Sequence, residues 1–283
     1  MKRHDQRSPQ QLRPIKITPH ILDYAEGSVM VEFGNTRVLC SASYEAKAPS
    51  WLSGTGAGWV TAEYGMLPRS THTRIKREKS QTGGRTQEIS RLVGRSLRSC
   101  VDLKGLGEKQ IIIDCDVINA DGGTRTAAVT GGFVALAFAL KKLHDLSEIK
   151  TFPLKHYVSA VSVGLHETNG LKVPLLDLNY DEDSDIGTDM NFVMTDKNEF
   201  IEIQGTAEEG TFSRQQLFDL MTVAEIGTGT GILSAFAASK TKAPIFAIEF
   251  YEKSAELAEK MMKAAKFDQV KVMRGKSYDL TCD

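Results

Sequence analysis

The strongest constraint on the fold is a strand, a glycine turn and a long helix of small residues that follow one another along the chain. Residues Gln110–Ile118 are predicted to form the strand, and Asp121–Thr126 then opens a helix that reaches about Leu143. Small residues in that helix, such as Gly131 and Gly132, allow close packing. The succession predicts a core helix that lies tightly against its neighbours.

Hairpins and further helices surround this segment. Gly27–Ser43 is predicted to be a hairpin that turns at Gly34-Asn35, and a second hairpin turns at Lys197-Asn198 between Met190–Thr195 and Glu199–Gln204. The other predicted strands are Trp59–Ala62, Tyr157–Leu165 and Lys172–Tyr180, and the other predicted helices are Gln87–Leu103 and Phe212–Met221. The mixture of hairpins and interspersed helices favours an α+β fold over a doubly wound parallel sheet.

Charge is segregated although the net charge is only −1. Residues 69–98 contain nine basic and two acidic side chains, whereas residues 177–189 contain six acidic side chains and no Lys or Arg. A basic stripe suits a polyanion, and clustered carboxylates suit a divalent cation. Two unrelated solvated surfaces would give the same pattern.

Composition narrows the cellular setting. The longest apolar runs are shorter than the roughly 18 residues that a membrane span needs, and Met1–Pro14 lacks the apolar centre of a secretory signal. Cys40, Cys100, Cys115 and Cys282 form no CxxC pair. We therefore expect no membrane span, no disulfide framework and a cytoplasmic location.

A glycine turn ahead of a helix predicts an anion site. Gly122 and Gly123 let the backbone approach an anion, and the helix that follows offers free N–H groups. Thr124 adds a hydroxyl group, and Arg125 adds a forked cation. Arg85, in the run GGRT, stands ahead of the next helix. Alternatively, each glycine pair is only a turn.

Carboxylates at a spacing of six residues predict a magnesium site. Asp177, Asp183 and Asp189 have this spacing, with further acids between them. Magnesium often uses one or two carboxylates together with water and phosphate oxygens. The alternative is an acidic surface loop.

The basic loop that begins at Met66 could hold an RNA backbone without reading its sequence. Anion sites, a metal cluster and an RNA-binding loop are together what phosphoryl transfer requires, because that chemistry depends on positioning and on neutralising charge.

The combined motifs resemble the ribonuclease PH family over about Gln11–Gly227. The matching stretches, in order, are YAEGSVMVEFGNTRVLC, GWVTAEYGMLPRSTHTR, GGRTQEISRLVGRSLR, DCDVINADGGTRTAAVTGG, DEDSDIGTDMNFVMT and FIEIQGTAEEGTFSRQQLFDLM. The resemblance implies a ribosomal-protein-S5-domain-2-like α+β fold over residues 1–227 and a homohexamer built as a trimer of dimers.

The resemblance also implies an activity. It is that of a phosphorolytic 3′→5′ exoribonuclease, which uses inorganic phosphate to trim the 3′ ends of tRNA precursors and releases nucleoside diphosphates. The family's phosphate ligands correspond to Arg85, Gly123, Thr124 and Arg125, and its catalytic and Mg²⁺-binding acids correspond to Asp183 and Asp189. The tRNA-contacting arginines correspond to Arg69, Arg74 and Arg77.

The resemblance ends near Gly227. Glu225–Gly231 has the form ExGxGxG, and predicted strands at Ile245–Glu249 and Val270–Met273 follow it. This segment resembles the first βαβ unit of a class I S-adenosylmethionine-dependent methyltransferase, in which Glu249 would hold the ribose hydroxyls. Residues 228–283 are too few for a domain of roughly 100–150 residues, so we interpret them as an incomplete fragment.

Two other functions are compatible with these features. One is a catalytically silent RNA-binding ring subunit, which the intact arginines and acids disfavour. The other is a fusion product that carries a non-functional methyltransferase fragment.

Overall fold

The computed structural model describes residues 3–77, 83–168, 170–208, 210–227, 245–249 and 270–274. The chain divides into two compact units, one of Ile17–Val158 and one of Met1–Lys16 with Ser159–Asp283. We call them the middle unit and the terminal unit and describe each by itself.

The middle unit is built on a five-stranded sheet with the strand order β1-β2-β3-β5-β4. The strands are β1 (Ile15–Pro19), β2 (Gly27–Phe33), β3 (Thr36–Glu45), β4 (Trp59–Met66) and β5 (Gln110–Asn119). The helices are α1 (Gly84–Ser99), α2 (Leu103–Leu106) and α3 (Thr124–Asp145), and Ser50–Leu52 forms a short 3-10 turn. β3 pairs antiparallel with β2 and β5, and β4 pairs parallel with β5.

One face of this sheet is apolar because alternate residues of each strand point to it. Val31 lies opposite Val38, and Cys40 lies opposite Cys115, and all four side chains are buried. α1 packs on β4, and α3 packs on β2, β3 and β5. The core of the unit therefore lies between the sheet and these two helices.

The predicted close packing of α3 is confirmed. A Cβ atom on Gly131 would lie 2.6 Å from Cγ1 of Val31 and 2.7 Å from Sγ of Cys40, so only glycine fits there. By length and composition α3 could cross a membrane, but 78% of its most apolar window is buried. Its position on the sheet accounts for its apolar character, as for the core helix of a globular protein.

The terminal unit contains a four-stranded sheet with the strand order β7-β6-β8-β9. The strands are β6 (Val158–Thr168), β7 (Leu171–Leu176), β8 (Thr188–Thr195) and β9 (Phe200–Ala207), and the helices are α4 (Tyr180–Asp185) and α5 (Arg214–Ile226). β7 pairs antiparallel with β6, and β9 pairs antiparallel with β8. α5 packs on β7 and β8.

The predicted strand Lys172–Tyr180 is wrong in its second half. β7 ends at Leu176 because Asp177 adopts a left-handed conformation with φ +54°. The chain then enters α4 at Tyr180. The predicted helix Gln87–Leu103 is also displaced, since α1 begins at Gly84 and ends at Ser99.

Beyond Gly227 the structure describes two strands, β10 (Ile245–Glu249) and β11 (Val270–Arg274), which pair in parallel. The strand predictions for these segments are confirmed. Residues 222–225 belong to α5, so they do not supply the strand that a methyltransferase unit places before its glycines. The glycine run 228–231 lies outside the described residues, as do the helices that the sequence predicts at Ile232–Ala238 and Lys253–Ala265. The methyltransferase resemblance stays a prediction.

Candidate active site

Two helix N-termini lie at one edge of the middle sheet. β4 and β5 run parallel, so their carboxyl ends share that edge. α1 returns antiparallel to β4, because the backbone N–H of Tyr64 donates to Oγ of Ser90 (2.9 Å) and Nη1 of Arg98 donates to the carbonyl oxygen of Val60 (2.9 Å). The N-terminus of α1 therefore lies where β4 ends.

α3 is arranged in the same way relative to β5. Sγ of Cys115 donates to the carbonyl oxygen of Ala128 (3.6 Å), and one turn further along the helix Gly132 faces Ile113. Glu88 of α1 contacts Arg125 of α3, and Leu97 also faces Gly132. The two helices thus run side by side and begin at the same edge of the sheet.

These two N-termini differ from those of the other α-helices in the described part of the chain, each of which is capped by a side chain. Asp102, Asn179 and Ser213 each accept a backbone N–H at the start of α2, α4 and α5. The N-cap residues of α1 and α3 are Gly83 and Gly123, with no capping side chain and, within the described residues, no acid in either first turn. Backbone N–H groups and positive helix ends are therefore presented to an anion.

The turn before α3 depends on left-handed glycines. Gly122 has φ +74° and Gly123 has φ +66°, a region that residues with a side chain rarely occupy. The buried Thr36 hydroxyl group fixes the turn, because it accepts from the backbone N–H of Asp121 (2.9 Å) and donates to the carbonyl oxygen of Gly122 (2.6 Å). The glycine turn is thus a rigid element of the site.

Tyr64 contacts one of the predicted phosphate ligands. Its hydroxyl group donates to Oγ1 of Thr124 at 2.9 Å. Burial raises the pKa of Tyr64, while the positive charges of Arg85 and Arg125 oppose that rise. The net rise in pKa means that the tyrosine keeps its proton at neutral pH.

The two arginines differ in their surroundings. The Arg85 side chain is exposed in the first turn of α1. The Arg125 side chain is 20% exposed to solvent. Its Nη1 atom forms an ion pair with Oε1 of Glu88 at 3.3 Å. Arg125 is consequently held by a contact to α1, whereas Arg85 remains accessible to solvent.

The basic loop starts at the same edge of the sheet. Ala120, just after β5, donates its backbone N–H to the carbonyl oxygen of Ser70 (2.8 Å), and Ile75 donates to Pro68 (2.9 Å). Arg69, Arg74 and Arg77 are exposed. The described part of the loop, residues 67–77, therefore closes on itself and is tied to the strand that leads into the glycine turn.

In the terminal unit, two of the clustered acids are already ion-paired. Asp177 is 0% exposed and accepts from Arg13, with Nη2 to Oδ1 at 2.7 Å and Nε to Oδ2 at 3.0 Å. Glu182 is buried against Arg3 and Arg7. The prediction that Asp177 belongs to the magnesium set is wrong on this ground, because its carboxylate lies inside an arginine cluster.

Asp183 and Asp189 occupy different settings. Asp183 is exposed on α4, and Asp189 is half-buried on β8, where it lies opposite Thr206 of β9. Within the described residues no group of three or more His, Cys, Asp or Glu side chains could hold a metal by itself. The hard oxygens of these two acids suit a magnesium ion whose remaining ligands are water and substrate oxygens.

Comparison with known proteins decides the family. Models of domain 1 and domain 2 of the 3′ exoribonuclease family match residues 11–141 and 156–227. A ribonuclease PH from Bdellovibrio bacteriovorus is 75% identical over 225 residues, which are 80% of this chain and 91% of that protein. The chain belongs to the ribonuclease PH family. As a member of the ribonuclease PH family, it is a phosphorolytic 3′→5′ exoribonuclease.

Solved structures share the ribonuclease PH fold. Rice (Oryza sativa) Rrp46 has a TM-score of 0.63 at 23% identity, covering 78% of this chain and 92% of its own. An Archaeoglobus fulgidus exosome with RNA bound to the active site has a TM-score of 0.65 at 19% identity, covering 79% and 88%. An archaeal exosome core has a TM-score of 0.62 at 21% identity, covering 79% and 86%. At these identities the likeness concerns the fold alone.

Sequence reasoning missed Tyr64, Thr36 and Glu88. Each touches a predicted ligand or the glycine turn, and each lies in a stretch that carries the family resemblance, but nothing in its local sequence marks it as part of the site. The acidic Glu88 beside Arg125 is the least expected of them, because it places a negative charge near an anion site.

Proposed function

We propose that inorganic phosphate, the co-substrate, binds where α1 and α3 begin. The observation that carries this proposal is the pair of helix N-termini without side-chain caps at one sheet edge, with Arg85 in the first turn of α1 and Arg125 in the first turn of α3. Thr124 and the backbone of Gly123 would donate to phosphate oxygens, and the two guanidinium groups would neutralise their charge. The Thr124 hydroxyl has its own hydrogen to donate, because its oxygen accepts from Tyr64.

We propose that Asp183 and Asp189 hold Mg²⁺. The donor set supports this, since both are carboxylates and the neighbouring Asp177 and Glu182 are held by arginines. When bound, the ion would offset the negative charge that develops on the departing 3′ oxygen. Two protein carboxylates leave coordination positions for water and for substrate oxygens.

In the proposed reaction a phosphate oxygen attacks the phosphorus of the terminal phosphodiester. The bond from phosphorus to the 3′ oxygen breaks, a nucleoside 5′-diphosphate leaves, and a proton passes to the new 3′ hydroxyl of the shortened RNA. The residues of the middle unit orient the attacking phosphate and reduce its charge, and such positioning is the main catalytic contribution in phosphoryl transfer. Excess nucleoside diphosphate should drive the reaction in reverse.

We propose tRNA precursors as the substrates, with Arg69, Arg74 and Arg77 on their backbone. The exposure of the three arginines on the loop beside the glycine turn supports this role. Arginine contacts to phosphate fix an RNA without reading its sequence. Family membership further favours a homohexamer, a trimer of dimers, working in the cytoplasm.

One assay tests the proposed site. The protein is incubated with a tRNA precursor bearing a 3′ extension, Mg²⁺ and labelled phosphate, and labelled nucleoside diphosphates are measured. Asp189→Asn should reduce the signal by about a hundred- to a thousandfold, while Asp181→Asn, at an exposed acid on α4, serves as the matched control. Arg125→Gln should raise the KM for phosphate, with Arg91→Gln, an exposed arginine on α1, as control.

The assay also separates the alternatives. Phosphate-independent release of nucleoside monophosphates would contradict phosphorolysis. A wild-type protein that binds the precursor but releases no labelled product would be a silent ring subunit.

A further inference from the structure

The first residues of the chain carry three buried arginines that the reaction does not use. Arg3, Arg7 and Arg13 are 2%, 6% and 5% exposed. Arginine is rarely buried without partners, because desolvating a guanidinium group is costly. These three belong to the terminal unit, together with α4 and its acids.

Their partners are the backbone and carboxylates at the turn from β7 into α4. Arg3 donates to the carbonyl oxygens of Leu176 (2.6 Å) and Asp177 (3.0 Å), and Arg7 donates to that of Asp177 (2.9 Å). Arg13 binds the Asp177 carboxylate through its side chain and through its backbone N–H (2.7 Å). The turn is therefore held at both carbonyls and at its carboxylate.

A second set of contacts reaches α4 itself. Glu182 accepts from the backbone N–H of Asn179 (3.1 Å) and so caps the helix, and the same carboxylate binds Arg3 and Arg7. Asp5 pairs with Arg7, Nε to Oδ2 at 2.5 Å, so three guanidinium groups face three carboxylates. The cluster is charge-balanced and anchors the start of α4.

α4 needs such an anchor. It spans only six residues, and a helix that short is unstable by itself. The turn before it contains Asp177 at φ +54°, a conformation that a residue with a side chain adopts only when its surroundings hold it. Asp183 directly follows Glu182 on this helix, whereas Asp189 is fixed by strand pairing opposite Thr206.

We propose that Arg3, Arg7 and Arg13 form a positioning clamp, which holds α4 so that the Asp183 carboxylate has a fixed place relative to Asp189. The clamp residues are positioning residues, not catalytic ones. The inference rests on the proposed role of the two acids in holding Mg²⁺. It assigns the N-terminal segment an indirect role in Mg²⁺ binding, through the position of Asp183.

The test compares Arg3→Gln and Arg3→Lys with Arg98→Gln in the full chain. Arg98 is a matched control because it is an arginine of the middle unit that also binds a carbonyl oxygen, that of Val60. Loss of residues behind metal ligands typically weakens metal use by about 10- to 100-fold. We expect Arg3→Gln to raise the half-saturating Mg²⁺ concentration about tenfold, with the KM for phosphate unchanged and partial rescue by Arg3→Lys.

Two readouts do not need activity. Hydrogen exchange of the peptide covering residues 178–187 should be faster in Arg3→Gln than in wild type or Arg98→Gln, at a temperature where all three are folded. Mn²⁺ binding, followed by the loss of the free-ion signal in electron paramagnetic resonance, should weaken in parallel with the Mg²⁺ response.

The outcomes are separable. Unchanged hydrogen exchange in Arg3→Gln overturns the clamp, whether or not Asp183 and Asp189 bind Mg²⁺. Faster exchange with an unchanged Mg²⁺ response and Mn²⁺ affinity overturns its positioning role and leaves a purely structural one. Full activity of Asp183→Asn and Asp189→Asn would instead overturn the proposed metal site, and the exchange result would still decide whether the clamp holds α4.

Discussion

The hydroxyl group of Tyr64 donates a 2.9 Å hydrogen bond to Oγ1 of Thr124, which joins the end of β4 to the first residue of α3. Because burial raises the pKa of Tyr64, the hydroxyl stays protonated and remains a donor at neutral pH. The bond therefore orients the threonine that we propose as a phosphate ligand.

Replacing Tyr64 with phenylalanine should weaken phosphate binding. The variant keeps the ring in the core and removes only the donor, so we expect a loss of about 1 kcal/mol, which is about a fivefold rise in the KM for phosphate. The KM follows from initial rates at saturating RNA. Tyr44→Phe is the control, since Tyr44 bonds the Glu148 carboxylate at 3.3 Å on the exposed surface. Equal KM values in the two variants would argue against the threonine's role.

Gly123→Val should impair both stability and phosphate use. A branched side chain at φ +66° costs about 1–2 kcal/mol or more, and it displaces the backbone N–H groups at the start of α3. Thermal unfolding and the KM for phosphate measure the two effects. Gly54→Val is the control, because Gly54 also has a positive φ (+79°) but its Cβ would meet nothing within 4 Å. If both variants lose stability and neither changes the KM, the glycine turn does not bind phosphate.

The terminal unit should lose stability in acid through Asp177. Burial by itself would raise the pKa of this carboxyl, but ion pairing and hydrogen bonding with Arg13, and the charge of Arg7, hold it below its ordinary value of 3.8. A depressed pKa contributes stability that is present above the unfolded value and is lost as the pH falls through the folded one. We therefore expect the melting temperature to fall below about pH 4.

Asp177→Asn tests this assignment. It should cost about 3–5 kcal/mol at neutral pH, because it leaves buried guanidinium charge without its partner, and it should flatten the acid dependence of the melting temperature. Asp145→Asn is the control, since Asp145 pairs with Lys141 on the exposed surface. A variant that melts like wild type at neutral pH would exclude the ion pair as a stabilising contact.

The thiols of the middle unit should be inert in the folded protein. Burial raises the pKa of Cys100 to about 12, and the pKa of Cys115 is raised by a hydrogen bond with Cys40 and by burial. Cys40, Cys100 and Cys115 are buried and free. In a Cys282→Ser background, a thiol-disulfide reagent should label almost no thiol under native conditions and all three in denaturant. Rapid native labelling would contradict the burial of these thiols.

Features with local causes could be predicted from the sequence. The turns at Gly34 and Asn198 have φ +57° and +58°, the conformation that glycine and asparagine favour, and both hairpins form there. The glycine turn before Thr124 was predicted on the same kind of reasoning. The short α4 was not predicted, because Tyr180–Asp185 lacks an apolar period and its helix depends on a buried carboxylate.

Features that depend on distant partners could not be predicted. Tyr64 meets Thr124 across 60 residues, and Thr36 meets Gly122 across 86. Arg13 meets Asp177 across 164 residues, so a basic N-terminus and an acidic loop gave no sign that they pair. The acid spacing therefore suggested three metal ligands, although tertiary structure removes Asp177 from that set.

The discontinuity of the terminal unit has a consequence for biosynthesis. Residues 17–158 are translated before any strand of β7–β9 exists, so the middle unit can fold while the chain is still growing. Arg3 and Arg13 leave the ribosome long before their carboxylate partners, Glu182 and Asp177. The arginine segment must stay solvated until residues 177–182 have been made, and a bulky domain fused ahead of it would hinder its late docking.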